Sequence, residues 1–208
     1  MNIVLLGAAG SGKGTQCEIL TKTLNIPSIS IGDLFRQNIK NKTQIGIVAE
    51  EFVNSGVLVP DDVVLQMLQD RLSSPDCKNG YLLDGFPRTL KQAELLQNIS
   101  KIDVVINIKT SKEVLLNRIL GRRICKNCNS TFHIDFLENK EICPKCGNTI
   151  EMRKDDADIV AVERRLKVYE ENISPLITFY KNQNIFYEVS SDKGKNDTFK
   201  QISQVLKI

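Results

Sequence analysis

The chain has 208 residues, 41% hydrophobic and 25% charged, with 28 basic and 25 acidic side chains giving a net charge of +3. Such a composition fits one large globular domain, or one domain carrying insertions, and excludes disordered, collagen-like and coiled-coil chains. The charge is too mild to signal nucleic-acid binding, and no apolar run approaches the roughly 18–20 residues of a membrane span.

The first apolar run, Ile3–Leu6, predicts a strand; it lacks the basic flank of a signal peptide, so a cytoplasmic location is expected. It leads into Gly7-Ala-Ala-Gly-Ser-Gly-Lys13-Gly-Thr15, followed by a helical pattern through Ile19, Leu20 and Leu24. Glycines at this spacing let backbone N–H groups turn inward around phosphate oxygens, and the helix N-terminus adds positive potential. Gly10, Ser11, Gly12, Lys13, Gly14 and Thr15 are therefore predicted to hold a nucleoside triphosphate, with Lys13 reaching its β- and γ-phosphates. Gly14 stands where Ser or Thr usually follows the lysine, which moves the magnesium-facing hydroxyl to Thr15.

Ser28–Ile31 reads as a second strand, followed by helical patterns over Asp33–Ile39 and Gln44–Asn54 with no strand between them. Tyr81–Leu83, Val104–Ile108 and Ile185–Val189 supply three more strands. Strands alternating with helices predict an α/β fold, a parallel sheet covered on both faces. An apolar stripe through Val162, Leu166, Tyr169, Ile173, Leu176 and Tyr180 predicts a long helix, which Pro175 is expected to kink or break.

Four of the six cysteines form two C-x2-C pairs, Cys125/Cys128 and Cys143/Cys146. Four thiolates from two tight turns suit a closed tetrahedral zinc site that staples the segment and does no chemistry. Asn129 and Gly147 allow the positive φ that such turns require. His133 lies between the pairs and reads as a surface or ligand-facing side chain. Cys17 and Cys77 read as ordinary buried or half-exposed thiols.

Further strings join the glycine loop: Gly32-Asp-Leu-Phe-Arg36, Gly56-Val-Leu-Val-Pro-Asp61, Asp84-Gly-Phe-Pro-Arg-Thr89 with Gln92, and Gly121-Arg-Arg123 ahead of the cysteines. In this order and spacing, over the whole chain, the set resembles the adenylate kinase family of the long, zinc-lid type. The resemblance implies a five-stranded P-loop core over residues 1–29, 60–121 and 157–208. A nucleoside-monophosphate-binding insertion would occupy 30–59, and a zinc-binding lid 122–156. It implies the reaction Mg·ATP + AMP ⇌ 2 ADP, with Mg2+ and structural Zn2+ as cofactors. The partners would be nucleotides alone, without nucleic acid or membrane, and the protein a monomer.

By the same resemblance, Arg36 and Arg88 hold the AMP phosphate, and Ile31, Val57, Leu58, Val59, Gly85, Phe86, Pro87 and Gln92 line the rest of the AMP site. Arg122, Arg153 and one of Arg164 and Arg165 close over the transferring phosphoryl group, with Arg118 assisting. Asp84 acts on Mg2+ through water, with Asp33 behind it. Thr131, Phe132 and Lys193 fall on the ATP side, Phe132 being equally suited to the lid core. The stretch from Asp156 to Arg165 is one residue longer than usual, so either arginine is open as the inward one; one residue turns a helix by ~100°. Ile31 replaces a common Thr of the AMP base pocket, which raises CMP or UMP as alternative acceptors. Ala9 replaces a common Pro of the phosphate loop. A nucleic-acid-binding zinc ribbon is disfavoured, because Lys126, Lys140 and Lys145 are balanced by Asp135, Glu138 and Glu141.

Overall fold

A computed structural model describes the whole chain, Met1–Ile208. The central sheet contains β1 (Asn2–Leu6), β2 (Ser28–Ser30), β3 (Tyr81–Asp84), β4 (Val104–Lys109) and, late in the chain, Phe186–Ser190. All its pairings are parallel, and the spatial order is β2-β3-β1-β4 followed by the late strand. β1 pairs with β3 and β4 at once, so Ile3, Val4 and Leu5 have no contact with water.

Side-chain alternation divides these strands between two cores. Val4, Leu6, Leu83 and Val105 point to one face, packed against Ala93 and Leu96 of α5 (Leu90–Ile99) and Leu176 and Tyr180 of a long helix, Ile159–Lys181. Ile3, Leu5, Leu82 and Ile106 point to the other, under Cys17 and Leu20 of α1 (Lys13–Leu24) and Ile202 and Leu206 of the C-terminal helix, Lys195–Leu206. The predicted α/β class and its five strands hold.

Three local expectations are corrected. Ile31 does not end β2; it opens α2 (Ile31–Lys40), because the hydroxyl of Ser30 accepts the Asp33 N–H and caps the helix there. The last strand is Phe186–Ser190, one residue later than the apolar run suggests. Pro175 does not break its helix, which runs unbroken through Ile159–Lys181. An interior proline costs about 3 kcal/mol; burial of Leu176 and Tyr180 beyond it offsets that cost by fixing the last turns to the sheet.

Two segments leave the alternation. α2 packs against α3 (Gln44–Ser55), and α4 (Asp61–Leu72) returns the chain to the sheet. After α6 (Lys112–Leu120), β5 (Arg122–Cys125), β6 (Thr131–His133) and β7 (Ile150–Glu151) build a separate antiparallel sheet in the order β6-β5-β7. A short helix, α7 (Lys154–Ala157), leads from it into the long helix, here α8; the last strand and helix are β8 and α9.

Candidate active site

The carboxyl ends of β1 and β3 open into one cleft of about 1520 Å3, walled by α2, the turn after α3, the antiparallel sheet and the start of α9. Ligands of parallel α/β sheets bind at this end of the strands.

The glycine loop forms the cleft floor. Gly10 has φ +81°, and a Cβ there would lie 2.9 Å from Ile119 Cγ1 and 3.0 Å from the Leu115 carbonyl, so only glycine fits between the loop and α6. Lys13 begins α1 and donates from Nζ to the carbonyls of Gly7 at 2.7 Å and Ala8 at 2.8 Å, curled across its own loop. Burial lowers its pKa to about 8, with Asp84 opposing the shift. The Ser11 hydroxyl is buried without a hydrogen-bond partner. Asp84, at the end of β3, has its pKa raised by burial, partly countered by Lys13 and reinforced by the charge of Asp33. Two carboxylates sensing each other beside a phosphate loop fit a divalent cation held through water.

Six arginines line the cleft: Arg36, Arg88, Arg118, Arg122, Arg153 and Arg165. Arg88 is anchored by one bond from Nε to the Gly85 carbonyl at 2.8 Å. It touches the solvent of the cleft and is enclosed elsewhere; that enclosure, and then the charge of Arg165, lowers its pKa to about 10. Arg36 rests on Asp33 at 2.5 Å, and Arg118 is tied to the Ser191 carbonyl and hydroxyl at 2.7 and 2.9 Å.

The other three share a pair of acids. Arg122 donates from Nε and Nη2 to Asp156, both at 2.6 Å. Arg165 donates from Nη1 to Asp156 Oδ1 at 2.9 Å and to the Asp155 carbonyl at 3.1 Å. Arg153 grips Asp155 through Nε and Nη2. Nη1 of Arg122, Nη1 of Arg153 and Nη2 of Arg165 keep their protons free for a ligand. Burial alone would raise the Asp155 carboxyl, but the guanidinium groups of Arg153 and Arg165 hold it well below the usual carboxylate range. Sequence reasoning missed this acid pair; its signal was two adjacent aspartates directly after Arg153-Lys154.

Of Arg164 and Arg165, only Arg165 lines the cleft. With Asp158 capping α8, Arg165 turns into the cleft, whereas Arg164 points away and donates to the Ser55 carbonyl at 3.0 Å. Arg164, counted with the catalytic and AMP-binding residues, lies outside the cleft. Lys193 is also exposed outside it; Gly194 and Lys195 line the wall instead, and Gln16 donates to the Lys195 carbonyl at 2.9 Å. Arg123 turns back onto the carbonyls of Leu120 and Arg122.

Ile31, Val57, Leu58, Val59, Gly85, Phe86, Pro87 and Gln92 all border the cleft beside Arg36 and Arg88. Thr131 and Phe132 border it on the opposite side. Phe132 also packs against Cys125, Cys143 and Ile150. His133 lines the cleft too, its Nε2 lying 3.3 Å from the Asn117 carbonyl.

The sulfurs of Cys125, Cys128, Cys143 and Cys146 all lie within 4.8 Å of one another. Cys125 and Cys146 are 3.4 Å apart and Cys128 and Cys143 3.7 Å, too far for disulfides. Four thiolates at about 2.3 Å from a tetrahedral zinc would stand about 3.8 Å apart, so the donor set fits that metal. Asn129 and Gly147 take the expected positive φ, 56° and 74°, and their N–H groups return to the Cys125 and Cys143 carbonyls.

The family model described as Adenylate kinase matches residues 5–185. Curated relatives named "Adenylate kinase" include those of Clostridium tetani (strain Massachusetts / E88), 45% identical over 99% of this chain and 98% of its own length, and Caldicellulosiruptor bescii, 44% identical over the whole of both. That of Desulforudis audaxviator (strain MP104C) is 46% identical over 93% of each chain. With a phosphate loop, converging arginines and near full-length relatives in one chain, the protein belongs to the adenylate kinase family of enzymes.

Proposed function

We propose that the enzyme transfers the terminal phosphoryl group of Mg·ATP to AMP, reversibly, giving two ADP. The observation that carries this reading is the convergence of Lys13 and six arginines on a single cleft with a phosphate loop at one end and an apolar pocket bearing Gln92 at the other.

The acceptor is a phosphate monoester whose second pKa is near ~6, so its oxygen is already ionised at neutral pH and no general base is required. The barrier is the approach of two polyanions, and catalysis reduces to positioning and charge neutralisation. Arg36 and Arg88 hold the AMP phosphate bidentately. The loop amides and Lys13 hold the donor phosphates; Lys13 exchanges its carbonyl partners for phosphate oxygens, which returns its proton affinity upward. Arg122, Arg153 and Arg165 direct their free N–H groups at the moving phosphoryl group. Asp155 and Asp156 fix those three guanidinium groups in advance, so little order remains to be gained at the transition state. Thr15 and Asp84, with Asp33 behind, would hold Mg2+, which neutralises donor phosphate charge when bound.

Residues 122–156 would act as the lid and 30–59 as the AMP-side insertion, on a core of 1–29, 60–121 and 157–208. Closure keeps water from competing with AMP. Zn2+ at the four cysteines would keep the lid rigid while it swings. The reading includes a monomer working in the cytoplasm, where ATP and AMP are ordinary metabolites. An ADP-formation assay over AMP, CMP, UMP and GMP tests the reading. AMP should be the best acceptor, and Lys13→Ala should lose about 2–3 orders of magnitude; equal rates with all four acceptors, or an unaffected Lys13→Ala variant, would refute it.

A further inference from the structure

Gln92 is 2% exposed yet lines the cleft, and its position is set by the helix that carries it. Thr89 caps α5, its hydroxyl accepting the Gln92 N–H at 3.2 Å. The side-chain amide is then pinned from both sides. Oε1 accepts the Arg88 backbone N–H at 2.7 Å, and Nε2 donates to Asp61 Oδ1 at 2.8 Å. A carboxylate can only accept and a backbone N–H can only donate, so the reversed amide would lose both bonds and set like against like. Asp61 is itself held, at the first position of α4 and with Lys91 Nζ 3.5 Å from Oδ2.

The neighbouring walls, Ile31, Val59 and Phe86, are apolar and buried. Recognition of a base edge by side chains at this end therefore falls to the second N–H and the second Oε1 lone pair of Gln92. Resting on the assignment of this end of the cleft to the acceptor base, we propose that Asp61 is a positioning residue: by fixing the Gln92 amide in one orientation, it makes the site select amino-bearing bases over oxo-bearing ones. Adenine presents an amino N–H beside a ring-nitrogen acceptor, the complement of the fixed amide. Cytosine presents the same pair. Hypoxanthine, guanine and uracil present a carbonyl oxygen beside a ring N–H, so both contacts become repulsive unless the amide reverses.

The test compares kcat/KM for AMP and IMP, with Mg·ATP, in the wild type, Asp61→Asn and Asp62→Asn. Asparagine at 61 offers either an oxygen or an N–H, so it no longer dictates the orientation of Gln92. The AMP:IMP preference should narrow by roughly tenfold or more in Asp61→Asn, the scale of one hydrogen bond to a charged group. Asp62 is exposed on the same helical turn, and Asp62→Asn, which removes the same charge, should leave the ratio unmoved. A purely structural role for Asp61 would lower both substrates together; an unchanged ratio, or an equal change in Asp62→Asn, overturns the inference. A second measurement needs no variant. Water exchange of the Gln92 side-chain amide in the intact wild-type protein should be far slower than that of exposed Gln69, and equal rates would overturn the pinning. A wild type that fails to phosphorylate AMP at all would instead count against the proposed function.

Discussion

The central sheet buries Ile3, Val4, Leu5, Leu82, Leu83 and Ile106 completely, whereas the buried cluster of the antiparallel sheet and its cysteine turns is Cys125, Cys143 and Ile150 alone. Full burial of a large aliphatic side chain stabilises by about 1.5–3 kcal/mol, so the central sheet has ample apolar drive while the antiparallel sheet has almost none. The antiparallel sheet instead carries four clustered sulfurs that could hold one metal. The difference teaches how two regions of one chain can hold their shapes by different means. One keeps its shape by filling space, and the other brings together four sulfurs that could hold a metal.

Removing the metal gives the largest expected effect. Structural zinc contributes apparent free energies of about 10–16 kcal/mol in small zinc domains. Chelation, or Cys143→Ala, should therefore abolish amide exchange protection in β5 and β6 while leaving β1 and β3 protected. Equal loss in both sheets would dissolve the distinction. Next comes the acid pair between the two regions. Asp156 has no solvent contact through its side chain and neutralises Arg122 and Arg165. Asp156→Ala should destabilise by about 3–5 kcal/mol, the cost of breaking a buried ion pair, and lower kcat more than it raises the KM for AMP. Leu83→Ala should cost about 2–5 kcal/mol, read by chemical denaturation, without altering metal affinity; a change in metal affinity would show the regions to be one unit.

The smallest effect is in pH. Asp155 has a folded-state pKa held below its unfolded value by Arg153 and Arg165, against the opposing effect of burial. Its contribution is therefore complete above the ordinary carboxylate value of about 3.9 and is lost as pH falls through the folded value. Asp155→Asn should flatten the acid limb of the stability curve below about pH 4; an unchanged limb would remove Asp155 from the network.

The five strands, the glycine loop and the cysteine knuckles were legible because each is local: alternation, spacing and turn chemistry lie within a few adjacent residues. The inward phase of Arg165 was not, since it depends on where Asp158 starts α8, a boundary set by the preceding short helix. Pro175 misled for a related reason, as its cost is offset by packing that only the folded sheet supplies. Asp155 and Asp156 went unread because an acidic pair gains its meaning from the three arginines that fold onto it. That Lys195 rather than Lys193 borders the cleft was likewise set by the exit geometry of one loop.

The proposed transfer inside a closed, water-free cleft is tested most directly by 31P NMR of the metal-loaded wild type with Mg·ATP and AMP. ADP signals should grow as both substrates decline together, with no inorganic phosphate. Release of inorganic phosphate at a rate matching ATP loss, or no exchange between the two nucleotides, would contradict it.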